Sequence, residues 1–449
     1  MGPDFRAPDP PAVASYVPGP PPRVNLIARD IPAEWWSVFG SREIDALVRR
    51  ALANSPTLDV AKARVVQARE LRVAREGATL PRVDATAGAE RQRIDPATFG
   101  FPEAPNPGPF NVFSLGLNAS YDFDVFGGSR RELEALAADV DYQGYELEGA
   151  RLTLASNVVA TAIRRAALAS QIELTEQIAA SQRHELAIAE RRYELGGVAL
   201  VAVRNQGTLV AQTEAALPPL RAAHAQAGHL LAVLVGDPPA SAEIAPISLG
   251  ELELPSELPL RLPSELARQR PDIQASEALL HKASANVGVA TADLYPKFVI
   301  SAALSSTQLN IGDVLGNGIN IWNFGLNLLQ PLFRGGELQA RQRAAVAGYE
   351  QALAAYRQTV LQALQNVADV LRALEADADA VSARSLQAQR ANEAYEITLG
   401  RFRMGAVSEV VLIDADRQRL SARVERLQAL ANQYADAAAL FQALGGSWR

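Results

Sequence analysis

Asp414 and Arg417 are the pair whose types and spacing could most simply do chemistry. Three positions apart on a helix, a carboxylate and a guanidinium can meet, and Asp416 is near enough to join them. As an ordinary surface pair they contribute only about 0.2–0.5 kcal/mol. Asp122 and Asp124 share one side of an alternating strand. Two acids there could suit a cation, but they are more simply read as a water-lined wall. The four histidines, His184, His224, His229 and His281, never fall at i,i+4, so a helical metal pair is not expected. The chain has no cysteine, which excludes disulfides, thiolate zinc sites and cysteine nucleophiles. No Gly-x-x-x-x-Gly-Lys phosphate loop occurs. Arg49-Arg50, Arg130-Arg131, Arg164-Arg165 and Arg191-Arg192 read as solvated helix surface. A net charge of -7 gives nucleic acid no electrostatic support. No catalytic constellation emerges, so neither an enzyme nor a cofactor is expected.

The elements that must position these residues organise around Phe110 to about Leu195. Phe113, Leu115, Leu117, Ala119, Tyr121, Phe123 and Val125 alternate with Ser114, Gly116, Asn118, Ser120, Asp122 and Asp124. That is a strand with one apolar and one polar side. Gly127-Gly128 breaks it. Helical sequence follows, with Val140, Leu147, Leu154 and Leu168 at multiples of seven and Thr161 the polar member of the series. Such spacing marks helices packed side by side over a long distance. The helix should turn at Leu195-Gly196-Gly197-Val198 and return over about 200–235, with a possible bend at Pro218-Pro219. Upstream, a Pro-rich arm carrying Pro20-Pro21-Pro22 reads as extended chain draped over something else. Trp35-Trp36 then precedes a helix capped by Ser41 that runs to about Gly77, with a possible break at Pro56.

The pattern repeats. Pro56 and Pro81 reappear at one constant offset as Pro271 and Pro296. Val83, Ala85, Ala87 and Ala89 map onto Phe298, Ile300, Ala302 and Leu304. At a slightly shorter offset, Phe113, Leu115 and Leu117 map onto Trp322, Phe324 and Leu326; Gly196 maps onto Gly405 and Val198 onto Val407. An internal duplication of about 200 residues follows. The predicted organisation is an arm (1–40), a first repeat (41–236) and an equatorial connector (237–263). A second repeat (264–446) and a short tail (447–449) complete it. Strands are expected over about 81–126 and 296–333, and helical hairpins over about 129–235 and 337–444 with turns near 196 and 405.

Four two-faced strands per chain cannot close a barrel, and an open sheet leaves unpaired edges. If the apolar side meets lipid, closure is mandatory, and about eight strands is the smallest membrane barrel. Two chains would supply eight strands with little bore, three would supply twelve. Strands of about ten residues suit a bilayer crossing. Phe113, Tyr121, Phe123, Trp322 and Phe324 would then form aromatic girdles. The competing reading is a soluble sheet packed on its own apolar face, as in a coiled-coil scaffold or periplasmic adaptor.

In order and spacing the sequence resembles the TolC-like outer-membrane efflux channel family, in particular the lipoprotein branch serving resistance-nodulation-division (RND) pumps. The resemblance rests on Gly2-Pro3-Asp4-Phe5 with Pro8, on Trp35-Trp36 with Phe39, and on Asp122-Phe123-Asp124-Val125-Phe126-Gly127. It continues through Leu262-Pro263-Ser264-Glu265-Leu266 with Arg270-Pro271-Asp272, and the Arg-Tyr/Phe-x-x-Gly turns. Leu412-Ile413-Asp414-Ala415 with Arg417 and the ending Ala443-Leu444-Gly445-Gly446-Ser447-Trp448 complete it. It implies a mainly α fold with a membrane β-barrel: a homotrimer with a twelve-stranded barrel in the outer membrane and a twelve-helix tunnel across the periplasm. It implies a passive exit duct for small toxic compounds, coupled to a periplasmic membrane-fusion adaptor and an inner-membrane RND pump. A type I protein exporter is the alternative. Asp414, Arg417 and Asp416 would form the periplasmic gate. Tyr193, Gly196, Gly197, Val198, Phe402, Gly405 and Val407 would form adaptor-contacting turns. A lipid-bearing Cys would stand just upstream of Gly2. Ala199–Gln206 lacks the Asp the family pattern places after the first turn.

Overall fold

The computed structural model describes residues 1–446 apart from 10–11, 14, 18–25, 28–30, 101–102, 104, 106–107, 255–256, 261–262, 317–318 and 320. Pro20–Pro22, Leu262 and the tail with Trp448 therefore lie outside the described residues. In chain order the elements are β1 (Leu26–Ile27), α1 (Arg42–Asn54), α2 (Pro56–Ala78), β2 (Arg82–Gln92), β3 (Phe110–Phe123), α3 (Gly128–Glu194) and α4 (Leu200–Leu234). The second half has β4 (Leu258–Pro259), α5 (Pro263–Gln269), α6 (Pro271–Ala292), β5 (Lys297–Gln308), α7 (Asp313–Gly316), β6 (Ile321–Leu329), α8 (Glu337–Arg403) and α9 (Glu409–Ala443).

The duplication is visible in these bounds. Pro56 and Pro271 each take the first position of a helix, where a missing N–H costs nothing. Pro81 and Pro296 each stand immediately before a strand. Helices α3 and α8 both have 67 residues, and α4 and α9 both have 35. At 1.5 Å per residue the longer pair extends about 100 Å. Ser41 caps α1 by accepting a hydrogen bond from the Ile44 N–H at 3.3 Å. Helix α4 continues through Pro218-Pro219.

The chain divides into two compact units. The first comprises Met1–Pro8, Arg64–Gly144 and Ala275–Arg357. Its sheet has the order β2-β3-β5-β6, antiparallel throughout. The register aligns whole rows: Ala85 with Leu117, Leu304 and Trp322; Val83 with Ala119, Ala302 and Phe324. The alternate row joins Asp84, Asn118, Ala303 and Asn323. A one-residue slip in any strand would have mixed the two faces. Both hairpins end earlier than the sequence suggests, at Phe123 and Leu329. After Phe123, Asp124 leaves the polar strand face and caps α3, accepting from the Ser129 N–H (3.1 Å) and Arg130 N–H (2.8 Å).

The N-terminal segment lies on this same unit. The Met1 ammonium donates to the Phe126 carbonyl at 3.0 Å. Phe5 stacks on His281, with centroids 4.4 Å apart, and the His281 ring meets Glu134 at 2.9 Å. Arg131 bridges Asp4 and Glu134 and is largely buried. The arm is draped, as its composition suggests, but Arg131 is an anchor rather than solvated surface.

The second unit comprises Asp9–Ala63, Tyr145–Gln274 and Gln358–Arg449. Trp35, Phe39, Ile44, Leu231, Leu249, Leu266, Leu371 and Phe441 are fully buried in it. Trp35 stacks on Phe441 at 5.2 Å. The arm and the connector meet as a two-residue parallel pair, β1 with β4. Arg165 donates to the Ala245 carbonyl at 3.0 Å, so it too ties the connector down rather than facing water. On α3 the fully enclosed residues include the run Ala155, Val158, Val159, Ala162, Ile163 and Ala166. The seven-residue series borders that stripe: Leu154 and Thr161 are buried, while Val140, Leu147 and Leu168 are half-buried.

Candidate functional site

Two surfaces carry the candidate residues, one in each unit. The first is the apolar face of the sheet. Trp322, Phe324, Leu326 and Leu328 are 74, 70, 65 and 59 % exposed. Among the described residues nothing covers this end of the face, which goes against the reading of a sheet packed on its own apolar side. Phe113 and Phe123 lie ten residues apart on one face of β3. That is about 33 Å along a strand, or about 25 Å along the normal at a tilt of about 40°. Phe123 pairs with Phe298 and sits one alternation from Tyr121, while Trp322 lies at the opposite end, beside Leu304. The five girdle residues share the face, but Phe324 lies nearer mid-strand than a girdle position. The polar face carries Asp122, 3.5 Å from Arg82.

The second surface is formed by the two helical turns and the helices behind them. Each turn has the same hydrogen-bond pattern. Gly196 N–H donates to Tyr193 O (2.9 Å) and Gly197 N–H to Arg192 O (2.7 Å). Gly405 N–H donates to Phe402 O and Ala406 N–H to Arg401 O, both 2.9 Å. This double closure requires a left-handed residue at the first position, met by Gly196 (φ 73°) and Gly405 (φ 75°). Gly197 is not left-handed, so its glycine character is not demanded by the turn. Arg192 lies over the Phe402 ring at 5.4 Å. Tyr193, Leu195, Val201, Met404 and Val410 are exposed apolar or aromatic groups around the turns; Val198 and Val407 are half-buried. The sequence places Leu195 in the turn, but neither it nor Val201, Met404 or Val410 stands among the expected contact residues.

Behind the turns, Asp414 and Arg417 do pair, at 2.8 Å, but both are exposed and Gln418 shares the carboxylate. Asp416 points the other way. It is 3 % exposed and accepts from Arg419 at 2.5 Å. The Arg419 guanidinium lies 3.8 Å above the Tyr395 ring of α8. From α3, Glu185 accepts from the Gln206 amide of α4 at 3.2 Å, and that amide also donates to the Gln182 carbonyl. Burial pushes the Asp416 carboxyl above its ordinary value despite Arg419. Burial does the same to Glu185, and the Asp416 charge adds to it. Arg419 was missed in the sequence, although the run Asp414–Arg419 holds two interleaved acid-x-x-Arg pairs, about 200° apart on a helix of 100° per residue.

Among known proteins, the profile of the outer membrane efflux protein family matches residues 47–237 and 262–446, one stretch for each repeat. The pyoverdine export outer membrane protein OpmQ of Pseudomonas aeruginosa is 32% identical over 418 residues, 93% of this chain and 88% of that protein. The cation efflux system protein CusC of Escherichia coli is 25% identical, covering 100% of this chain and 96% of its own. The solved outer-membrane channel OprN superposes with a TM-score of 0.90 at 28% identity, covering 100% of this chain and 99% of that one. Matched along both repeats and in fold, the chain belongs to the outer membrane efflux protein family.

Proposed function

We propose that three copies of this chain close their sheets into one twelve-stranded outer-membrane barrel, the exit duct of a tripartite efflux pump. The observation that carries the reading is a four-stranded sheet with an uncovered apolar face and free edges at β2 and β6. Three antiparallel steps separate those edges, so β6 of one copy can continue antiparallel onto β2 of the next. Closure satisfies every backbone group that lipid would leave unpaired. The helical hairpins would line a periplasmic tunnel. Its exposed turn residues Tyr193, Leu195, Val201, Met404 and Val410, with Phe402, Val198 and Val407, would meet an adaptor protein coupled to an inner-membrane pump. Transport is passive in this chain, and catalysis has no part in it. The cargo is a small compound rather than a protein, by analogy with relatives named for export of pyoverdine and cations. A lipidated Cys immediately before Gly2 would sit beside Phe126, where Met1 is held. The gate role falls to Asp416 with Arg419, because an enclosed pair can hold helices together and the exposed Asp414–Arg417 pair contributes little.

Leu326→Arg and Asn327→Arg test the barrel. The first places a charge on the apolar face near mid-strand and should cost about 2–4 kcal/mol per copy on insertion. The second faces the polar side and should be tolerated. The measurement is the fraction of protein assembled in outer membranes. Equal tolerance of both substitutions would contradict the reading.

A further inference from the structure

The N-terminal segment and Phe126 cover one line of residues on α6 and the turn that ends it. His281, Gly288 and Tyr295 are spaced by seven, so they share one side. Phe5 stacks on His281. Gly2 comes so close that a Cβ on it would stand 2.6 Å from the Gly288 Cα. Phe126 stacks on Tyr295, with centroids 4.7 Å apart. The offset that carries Pro56 to Pro271 puts Val66, Val73 and Leu80 at the same three positions on α2 and its final turn. The backbone keeps the match. Tyr295 N–H donates to the Ala292 carbonyl at 3.0 Å, and Leu80 N–H to the Gly77 carbonyl at 3.1 Å. Yet Val66, Val73 and Leu80 are 55, 56 and 63 % exposed. One line is covered, and its more apolar counterpart is bare.

The helices next to the sheet repeat its order. Arg75 of α2 pairs with Glu132 of α3 at 2.5 Å. His281 and Lys282 of α6 meet Glu134 and Asp139 of α3 at 2.9 and 2.7 Å. Gln342 of α8 donates to Thr291 of α6 at 3.2 Å. The row α2-α3-α6-α8 therefore follows β2-β3-β5-β6, and α2 and α8 end it as β2 and β6 end the sheet. The step from α3 to α6 joins the two repeats. It is tight, because a Cβ on Gly288 would stand 2.7 Å from the Arg131 Cγ. Its counterpart is a step from α8 to an α2. Matching the two 67-residue helices turns Arg131 and Asp139 into Ala340 and Gly348. At this second step the large residue changes sides: Val73 stands for Gly288 and Ala340 for Arg131. The Lys282–Asp139 pair becomes Gln67 and Gly348, so charge is lost. Leu332 and Phe333, just past the end of β6, are 93 and 90 % exposed.

We propose that Val66, Val73 and Leu80 are a docking seam for a second copy of this chain. They receive the first turns of its α8, around Ala340, and its Leu332 and Phe333. These fill the place that the N-terminal segment and Phe126 take at the matching step within the chain. The inference rests on the exit-duct reading and deepens it, by naming a contact between copies outside the sheet. Continuity selects a second copy as the occupant. The seam runs from Leu80 straight into Pro81 and the free edge of β2, and Leu332 and Phe333 adjoin the free edge of β6. The two surfaces are different, so the contact is head-to-tail and repeats around a ring. Each chain has one N-terminal segment for two such steps. The second step therefore carries its own apolar side chains, which in a lone chain stay in water.

Disulfide trapping in the full-length protein tests this. The Gly288–Arg131 approach puts Cβ atoms at those two positions about 4 Å apart or less, the spacing of a disulfide. Val73→Cys with Ala340→Cys should inherit that spacing between copies. Oxidised in its membrane and run denatured without reductant, this pair should give bands at two and three times the monomer mass. Leu71 is the control. It is 53 % exposed but lies about 160° round α2 from Val73. Leu71→Cys with Ala340→Cys should give at least about tenfold less of those bands, its thiols pointing apart. A third sample carries cysteines on β2 and β6, at Ala85 and Leu326. If it links copies while the Val73 pair stays monomeric, closes within one chain, or links no better than the Leu71 pair, the seam is overturned and the exit-duct reading stands. If no pair links copies, the exit-duct reading fails and the seam falls with it.

Discussion

Arg419→Ala is expected to open the channel, and Arg417→Ala is not. Removing the Arg419 guanidinium leaves Asp416 buried without its counter-ion, at a cost of about 3–5 kcal/mol to the closed arrangement. The contact with the Tyr395 ring, worth about 0.5–2 kcal/mol, goes with it. Even about 3 kcal/mol shifts a closed–open balance more than 100-fold. Arg417 loses only an exposed pair, worth about 0–1 kcal/mol and screened by salt. The check is open probability in planar bilayers at neutral pH for both variants and the wild type. Equal behaviour of the two variants would remove the gate from the Asp416 side of α9.

Arg270→Ala should be the most damaging single change to folding. The Arg270 guanidinium, 9 % exposed, donates to the Ala443 carbonyl at 2.8 Å and the Ala363 carbonyl at 3.3 Å. It also grips Asp272 through two bonds of 2.9 and 2.6 Å. One side chain therefore joins the start of α6 to α8 and to the end of α9. Truncation removes the side-chain partner of the Ala443 carbonyl at the end of α9 and the counter-ion of Asp272, and should cost about 3–5 kcal/mol. Lysine cannot reproduce the fork and should recover only part of this. The neighbourhood is tight. A Cβ on Gly445, itself at φ 84°, would stand 2.8 Å from the Arg270 Cγ. Denaturant or thermal unfolding of the detergent-solubilised protein measures the loss. A midpoint within about 2 °C of the wild type would contradict this account.

The parts legible in the sequence are those whose cause is local. Strand faces could be read because each strand has one apolar and one polar side, and the observed register keeps the rows Ala85–Leu117–Leu304–Trp322 intact. The turns could be read because a left-handed helix end needs glycine at 196 and 405. The missed parts depend on neighbours distant in sequence. Two residues of β1 against two of β4 carry no period to read. Asp414–Arg417 and Asp416–Arg419 look alike in the sequence, and only the packing of α3, α4 and α8 decides which is enclosed. Arg131 and Arg165 read as solvated because Met1, Asp4 and Ala245, whose oxygens anchor them, lie 80 or more residues away. The seven-residue series was read correctly as helix packing, but its members border the fully buried Ala-rich stripe of α3 rather than forming it.

Closure of the sheet by neighbouring copies is the claim on which the rest depends, and the absence of cysteine makes it directly measurable. Pairs of cysteines would be introduced, one on β2 at Ala85, Ala87 or Ala89 and one on β6 at Phe324, Leu326 or Leu328. The full-length protein would then be oxidised in its membrane and run denatured without reductant. A closed ring of three gives bands at one, two and three times the 48.0 kDa chain and none above. Monomer alone for every pair, or a ladder continuing past three, would contradict the account.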